Sequence, residues 1–151
     1  MKNTLETELG PVSLVFDEEG RLLRLLMGRI QESRFVNEEV VELVRRYLEG
    51  GRVDFTGVPV SLKVSPFVEK VLEVVRGIPY GKVVSYRYIG DLIGCRGYRA
   101  VGVALRMNPV PIVIPCHRVI RSDGRLGGFS AGLEWKRFLL SLEGVLVDEK
   151  D

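Results

Sequence analysis

The sequence predicts an α+β protein: a small N-terminal α/β domain with a short β-sheet, then a mainly helical C-terminal domain. Three observations predict it. Apolar and polar residues alternate through Pro11-Val12-Ser13-Leu14-Val15-Phe16, and a second run, Arg21 to Met27, returns after the turn-forming Asp17-Glu18-Glu19-Gly20, which reads as a hairpin. From residue 37 onward apolar residues recur at helical spacing in several separate stretches. Two of those stretches are short and flank a glycine-containing break, Gly94-Cys95-Arg96-Gly97, the pattern of a helix-turn-helix. The boundaries follow: residues 1–60 form an N-terminal structural domain, residues 65–151 form a second domain, and residues 57–64 link them.

After the hairpin, residues 37–49 read as a helix. Asn37 caps it, Glu38 and Glu39 suit its first turn, and Val40, Val41, Leu43, Val44, Tyr47 and Leu48 give it an apolar side, before Gly50-Gly51 ends it. Val53–Phe55 and Val58–Leu62 are expected as further strands. No chemical constellation stands out in this half. Ser65-Pro66 opens a second helix, serine as cap and proline in the first turn, running to about Arg76. Ile78-Pro79-Tyr80-Gly81-Lys82 breaks it. Ser85 caps a short helix expected to run through Ile93 and to bury Ile89, Leu92 and Ile93. A second helix spans Tyr98 to Met107. Arg99 stands in its first turn, and Ala100, Gly102 and Ala104 leave it thin enough for close approach to a groove. Leu133 to Leu142 is a last helix, packing through Trp135, Phe138, Leu139 and Leu142, before a short tail, Val145 to Asp151.

Composition narrows the class. The 151 residues suffice for one ordinary domain or two small ones sharing a core, and 46% hydrophobic residues mark a globular chain. No apolar run approaches membrane-spanning length and no signal peptide opens the sequence, so no membrane association is expected. Two cysteines make no disulfide framework, so a reduced, cytoplasmic setting is expected. Two cysteines and one histidine are too few for a metal site; no metal and no cofactor are expected. The net charge of +2 conceals an asymmetry. Residues 76–137 hold eleven Lys and Arg against three acids, a local +8 that leaves −6 for the rest. A basic segment beside an acidic one suits a polyanionic partner.

One stretch concentrates the chemistry: Asn108-Pro109-Val110-Pro111-Ile112-Val113-Ile114-Pro115-Cys116-His117-Arg118-Val119. Three prolines stiffen it, its apolar residues imply burial, and it delivers a thiol beside the only imidazole in the chain. An unperturbed thiol is only a few per cent ionised at neutral pH, so a reactive cysteine needs a base, and His117 is the one available. Taken alone, the pair also reads as a core cysteine next to a surface histidine.

Pro115-Cys116-His117-Arg118 followed by Val119-Ile120, with Arg99-Ala100-Val101-Gly102 and Asn108-Pro109 upstream and Gly127, Ser130 and Glu143 downstream, resembles the O6-alkylguanine-DNA alkyltransferases, over roughly residues 65–145. The resemblance implies a DNA-repair protein that flips an alkylated guanine out of double-stranded DNA and moves the alkyl group irreversibly to its own Cys116. It further implies a methylated-DNA–protein-cysteine S-methyltransferase that acts once. Residues 65–151 would then be the DNA-binding and alkyl-transfer domain. The resemblance implies Cys116 as nucleophile, His117 as base through an ordered water, Glu143 as the orienting carboxylate, and Asn108 as a tie between the helix-turn-helix and the active-site strand. It implies Tyr86 as a contact to the base that assists proton transfer to the leaving guanine. Tyr98, Arg99, Ala100 and Gly102 would meet the DNA, chiefly in its minor groove, with Arg99 filling the gap left by the flipped nucleotide. Val119, Gly127, Phe129, Ser130, Ala131 and Lys136 would shape the pocket. The family has a small residue where this chain has Tyr98, and often Asn-Pro in the preceding turn. A monomer in solution is expected. Competing readings are an alkyltransferase-like protein that binds the lesion without transfer, a plain helix-turn-helix DNA-binding protein, and a thiol hydrolase, which would need a base from elsewhere in the chain.

Overall fold

The computed structural model describes residues 2–31 and 33–146; residues 147–151 of the acidic tail lie outside the described residues. The hairpin is present as β2 (Gly10–Phe16) and β3 (Leu22–Leu26), joined by an antiparallel β1 (Thr4–Thr7) that the sequence reading did not foresee. The order is β1-β2-β3, with Leu14 opposite Leu25 and a bulge at Val15/Phe16. Val12, Leu14 and Phe16 alternate into the core, as a half-buried sheet requires. Ser13 is also buried, and its hydroxyl donates to the Gly28 carbonyl at 2.6 Å.

Helix α1 (Glu38–Leu48) begins at Asn37, whose side chain accepts from the Val40 amide. The strands expected at Val53–Phe55 and Val58–Leu62 do not form. The chain instead makes one bridge, Leu22 to Val60, where the Leu22 amide donates to the Pro59 carbonyl at 2.8 Å and the Ser61 amide to the Leu22 carbonyl at 3.0 Å. Pro59 has no N–H to continue a ladder, so Val53, Phe55 and Val58 reach the core as loop side chains.

Helix α2 (Pro66–Arg76) starts at Ser65, which caps through Val68, with Pro66 in the first turn. A two-residue strand β4 (Val84–Ser85) leads into α3 (Tyr86–Leu92), capped by Ser85. α4 (Tyr98–Arg106) completes the helix-turn-helix. Two expectations are corrected here. Leu92 is 57% exposed and Ile93 only half-buried; Ile89 and Gly90 are what α3 buries. Ala104 turns inward with Val101 and Leu105, so it fills the core and leaves Ala100 and Gly102 as the small residues outside it. Gly90 has a steric reason. A Cβ there would stand 2.6 Å from the Cys95 carbonyl oxygen and 2.8 Å from the Tyr98 ring. The absent side chain lets the Tyr98 ring lie against α3, with its hydroxyl 3.4 Å from Asp91 Oδ1.

A parallel β5 (Val119–Ile120) pairs with β4, and α5 (Leu133–Leu142) closes the chain. One buried apolar cluster runs from Leu5 through α1, α2 and α4 to Leu139. The rigid stretch 108–119 is threaded through it: Val110, Ile112, Val113 and Ile114 are buried, and the Leu25 amide of β3 donates to the Pro109 carbonyl at 2.9 Å.

Candidate active site

The turn that presents Cys116 is held under strain. Ile112 has φ of 74°, a left-handed conformation that a β-branched side chain tolerates poorly, at a cost on the order of 1–3 kcal/mol. Its neighbours impose it. The Asn108 side chain donates to the Ile114 carbonyl at 2.9 Å and accepts from the Val110 amide at 3.0 Å. The Ile114 amide donates to the Val110 carbonyl at 2.9 Å. Asn108 comes two residues after the end of α4, so these bonds join the helix-turn-helix to the turn before the thiol. Cys116, His117 and Arg118 then form a single 3₁₀ turn, and all three are buried.

Cys116, itself buried, lines a cavity of about 610 Å³, a size that accepts a small organic group. Its lining combines Tyr86, Tyr98, Arg99 and Gly102 of the helix-turn-helix with Gly127, Gly128, Phe129 and Ser130 of the loop before α5. Gly127, at φ of 73°, lets the loop lie on Tyr86: a Cβ there would come within 2.6 Å of the Tyr86 hydroxyl. The Tyr86 hydroxyl is 3.4 Å from the Gly128 carbonyl. Of the residues expected to shape the pocket, Val119, Ala131 and Lys136 stand off its wall. Lys136 is fully buried, and its ammonium donates to the carbonyls of Val119 (2.8 Å), Leu126 (2.5 Å) and Gly128 (3.1 Å), clamping the loop to β5 from behind. Ala100 is exposed on the outer face of α4 beside Arg99.

Behind the thiol is a buried polar network centred on Glu143, the residue that ends α5. Its Oε2 is 2.7 Å from His117 Nε2, and accepts from the Tyr47 hydroxyl at 2.5 Å and from Arg118 Nη2 at 3.0 Å. Its Oε1 accepts from Arg118 Nε at 2.8 Å and from the Gly81 amide at 2.8 Å. Arg118 Nη1 donates to the Ile78 carbonyl at 2.6 Å, so the break after α2 helps to hold the network. Two participants were not anticipated. The Pro115–Arg118 motif by itself gives Arg118 no role, although an arginine inside an apolar run signals a buried acid partner. Tyr47 lies in the half that showed no chemistry. Its signal was a hydroxyl on the apolar side of α1, where a buried phenol needs a partner.

These contacts set the charges. Burial alone would raise the Glu143 carboxyl; the hydrogen bonds from His117, Arg118 and Tyr47 outweigh it and hold the group at about 2. Burial pulls His117 below its ordinary 6.5, against the pull of Glu143 in the other direction. Burial raises the Cys116 thiol, partly offset by its hydrogen bond with Asn108 and by the Lys136 charge. The resting site therefore holds a thiol, a neutral imidazole and a carboxylate. Because the carboxylate can only accept, Nε2 carries the imidazole proton. Nδ1 is then the free lone pair, and it is buried with no hydrogen-bond partner among the described residues.

A pH dependence of stability follows. Both groups bind protons more readily unfolded than folded, so stability rises with pH through their ranges. Stability is expected to be complete above pH 7 and to start falling below about 6.5, where unfolded His117 takes up a proton. It is expected to fall by about 3 kcal/mol more between roughly pH 4.5 and 2, as Glu143 loses its advantage. Urea midpoints from pH 8 to pH 3 check this; midpoints that stay level down to pH 3 would contradict it.

Among the described residues no helix is long and apolar enough to cross a membrane, and no group of three or more potential metal ligands occurs. The fold and the site together define a class: a helix-turn-helix protein with a buried thiol–imidazole–carboxylate centre beneath the same face. The comparisons carry it further. Residues 66–145 match the family described as 6-O-methylguanine DNA methyltransferase, DNA binding domain. The chain is 40% identical over 147 residues to the methylated-DNA–protein-cysteine methyltransferase of Metallosphaera sedula, covering 95% of this chain and 93% of that one. It is 53% identical over 107 residues to the protein of the same name from Methanopyrus kandleri, covering 71% of this chain and 80% of the relative. Its structure is similar to Mycobacterium tuberculosis OGT in complex with DNA, with a TM-score of 0.81, 33% identity, and coverage of 93% and 90% of the two chains. The chain belongs to the methylated-DNA–protein-cysteine methyltransferase family.

Proposed function

We propose that this protein repairs O6-alkylguanine in double-stranded DNA by taking the alkyl group onto Cys116, once and irreversibly. One observation carries the reading. The buried Cys116 and the exposed Arg99 line one and the same cavity, and Cys116 is followed in the chain by an imidazole already tied to a carboxylate. The partner is DNA. Arg99 and Ala100 stand exposed at the start of α4, a thin, basic edge suited to entry from the minor groove, with Arg99 taking the place of an extruded guanine.

The atoms balance. The Cys116 sulfur attacks the saturated carbon on guanine O6; a sulfur–carbon bond forms as the carbon–oxygen bond breaks, and the pair from that bond stays with guanine. The thiol proton passes to His117 Nδ1, through a water as the family resemblance implies. The departing guanine takes up one proton from the Tyr86 hydroxyl on the cavity wall, and the phenolate then recovers a proton from the His117 imidazolium through solvent, so both residues end neutral. Glu143 stabilises the imidazolium while it lasts. Burial keeps the thiol protonated at rest, so ionisation accompanies attack. The thioether left on Cys116 is inert to water and to thiols, so nothing regenerates the acceptor. Free thiol chemistry of this kind goes with a reducing, intracellular setting, and with a monomer meeting one lesion at a time.

The test is direct. The protein is mixed with an oligonucleotide carrying O6-methylguanine and digested, and the Cys116 peptide is weighed. One added methyl there, with unmodified guanine restored in the DNA, is the expected result. A retarded oligonucleotide with no gain in peptide mass would identify a lesion binder without transfer. Turnover on an ester or amide would identify a hydrolase.

A further inference from the structure

Tyr47 belongs to the last turn of α1, seventy residues before His117 in sequence, yet its side chain is fully buried against the site. Its ring meets Phe55 edge-on at 5.5 Å and Tyr80 at 6.2 Å, which fixes where the hydroxyl points. That hydroxyl lies 2.5 Å from Glu143 Oε2 and 3.2 Å from His117 Nε2. It therefore touches both members of the imidazole–carboxylate pair but does not reach the cavity.

The protons have one consistent arrangement. Burial and the Glu143 charge push the Tyr47 phenol well above its ordinary 10, so it remains a donor. Glu143 is ionised and accepts only. Both short contacts to Oε2 are thus donated, one by Tyr47 and one by His117 Nε2–H. The other imidazole tautomer would set two lone pairs against each other at 2.7 Å. It becomes tolerable only if the Tyr47 hydroxyl swings to Nε2 and gives up the carboxylate. Tyr47 also weakens Oε2 as a base, so a proton gained at Nδ1 does not leave through Nε2 to the carboxylate. The other charged groups facing the pair are Arg118, which bonds both carboxylate oxygens, and Lys136, whose charge also bears on the imidazole; both disfavour the imidazolium.

We propose that Tyr47 is a positioning residue of the alkyl-transfer site: by donating to Glu143 it locks His117 as the Nε2–H tautomer, leaves Nδ1 as the lone pair that takes up the thiol proton, and keeps the transferred proton on the imidazole. The proposal rests on the reading of His117 as the base. It also gives the N-terminal segment a part in the chemistry.

The chain has a single histidine, so ¹⁵N spectra of the full-length protein report His117 without ambiguity. Wild type and Tyr47→Phe are titrated from pH 4 to pH 9, and single-turnover transfer from free O6-benzylguanine, which needs no DNA, is timed over the same range. In wild type the Nε2–H tautomer is expected at neutral pH, titrating below the ordinary histidine range. Tyr47→Phe leaves the carboxylate more basic. Its two nitrogen shifts are expected to converge, its titration to rise by about half a unit, and transfer to slow about tenfold, with the acidic limb of the rate profile moving with the titration. Unmoved shifts and titration in Tyr47→Phe, with or without a rate change, would reduce Tyr47 to packing and overturn the proposal. So would the Nδ1–H tautomer in wild type, a result that stands even if the variant does not fold. Wild type that takes no benzyl group would instead sink the transferase reading, whatever the spectra show.

Discussion

Cys116→Ala is expected to abolish alkyl transfer, by more than about 10³-fold, while the protein still folds and still binds an oligonucleotide carrying O6-methylguanine. No other side chain can substitute. The second cysteine, Cys95, sits in the turn between α3 and α4 with its sulfur 3.7 Å from the Gly97 carbonyl, and it is absent from the cavity wall. The hydroxyls that do line the cavity, on Tyr86, Tyr98 and Ser130, are poor nucleophiles toward saturated carbon. The fold should barely respond. Cys116 is buried as a small apolar side chain, and removing one sulfur atom costs about 1 kcal/mol. Binding should persist because Arg99, Ala100 and the walls around the flipped base are untouched. The measurements are the methylguanine content of the DNA after incubation, the retardation of the oligonucleotide and the urea midpoint. Continued loss of the methyl group in the variant would remove Cys116 as the acceptor.

The parts of this site that were legible in the sequence are those that lie close together in it. Cys116, His117 and Asn108 share one proline-stiffened stretch. Their neighbourhood could be read because burial and rigidity are local consequences of Pro109, Pro111, Pro115 and the valines and isoleucines between them. The helix caps at Asn37, Ser65 and Ser85 were legible for the same reason, since a cap joins residues three apart. Contacts that close large loops left no such trace. Tyr47 and Glu143 are separated by 96 positions, and only the packed chain brings phenol and carboxylate together. β1 escaped because Thr4–Thr7 is four residues with one buried side chain, Leu5, too short for alternation to register. The strands expected between 53 and 62 failed because apolar spacing identifies burial and not hydrogen bonding, and Pro59 interrupts the bonding. Leu92 was placed inside because a seven-residue helix turns through too few periods to separate its faces.

Glu143→Ala is expected to be strongly destabilising, by about 3–5 kcal/mol. The carboxylate accepts from Tyr47, from the Gly81 amide and twice from Arg118, and it meets His117 Nε2. Removing it leaves the Arg118 guanidinium buried without a counter-charge. Among the described residues the Ile78 carbonyl is then its one hydrogen-bond acceptor, with the Tyr80 ring 5.8 Å away. Glu143→Gln should recover part of the loss. An amide oxygen can still accept from Gly81 and Arg118 Nε, but the amide nitrogen then faces donors from Tyr47, His117 and Arg118, and no charge remains for the arginine. The two effects should not add: once Glu143→Ala is made, Arg118→Met should cost less than it does alone, since the second change removes the stranded charge. Urea titrations of the four proteins at pH 7.5 give the coupling. Additivity, or a loss under about 1 kcal/mol for Glu143→Ala, would mean that Glu143 serves the imidazole alone. The donors come from α1, from the break after α2 and from the active-site turn. The same carboxylate that readies His117 thus joins three distant parts of the chain, and its loss should lower the stability of all three together and leave the slope of the urea transition unchanged.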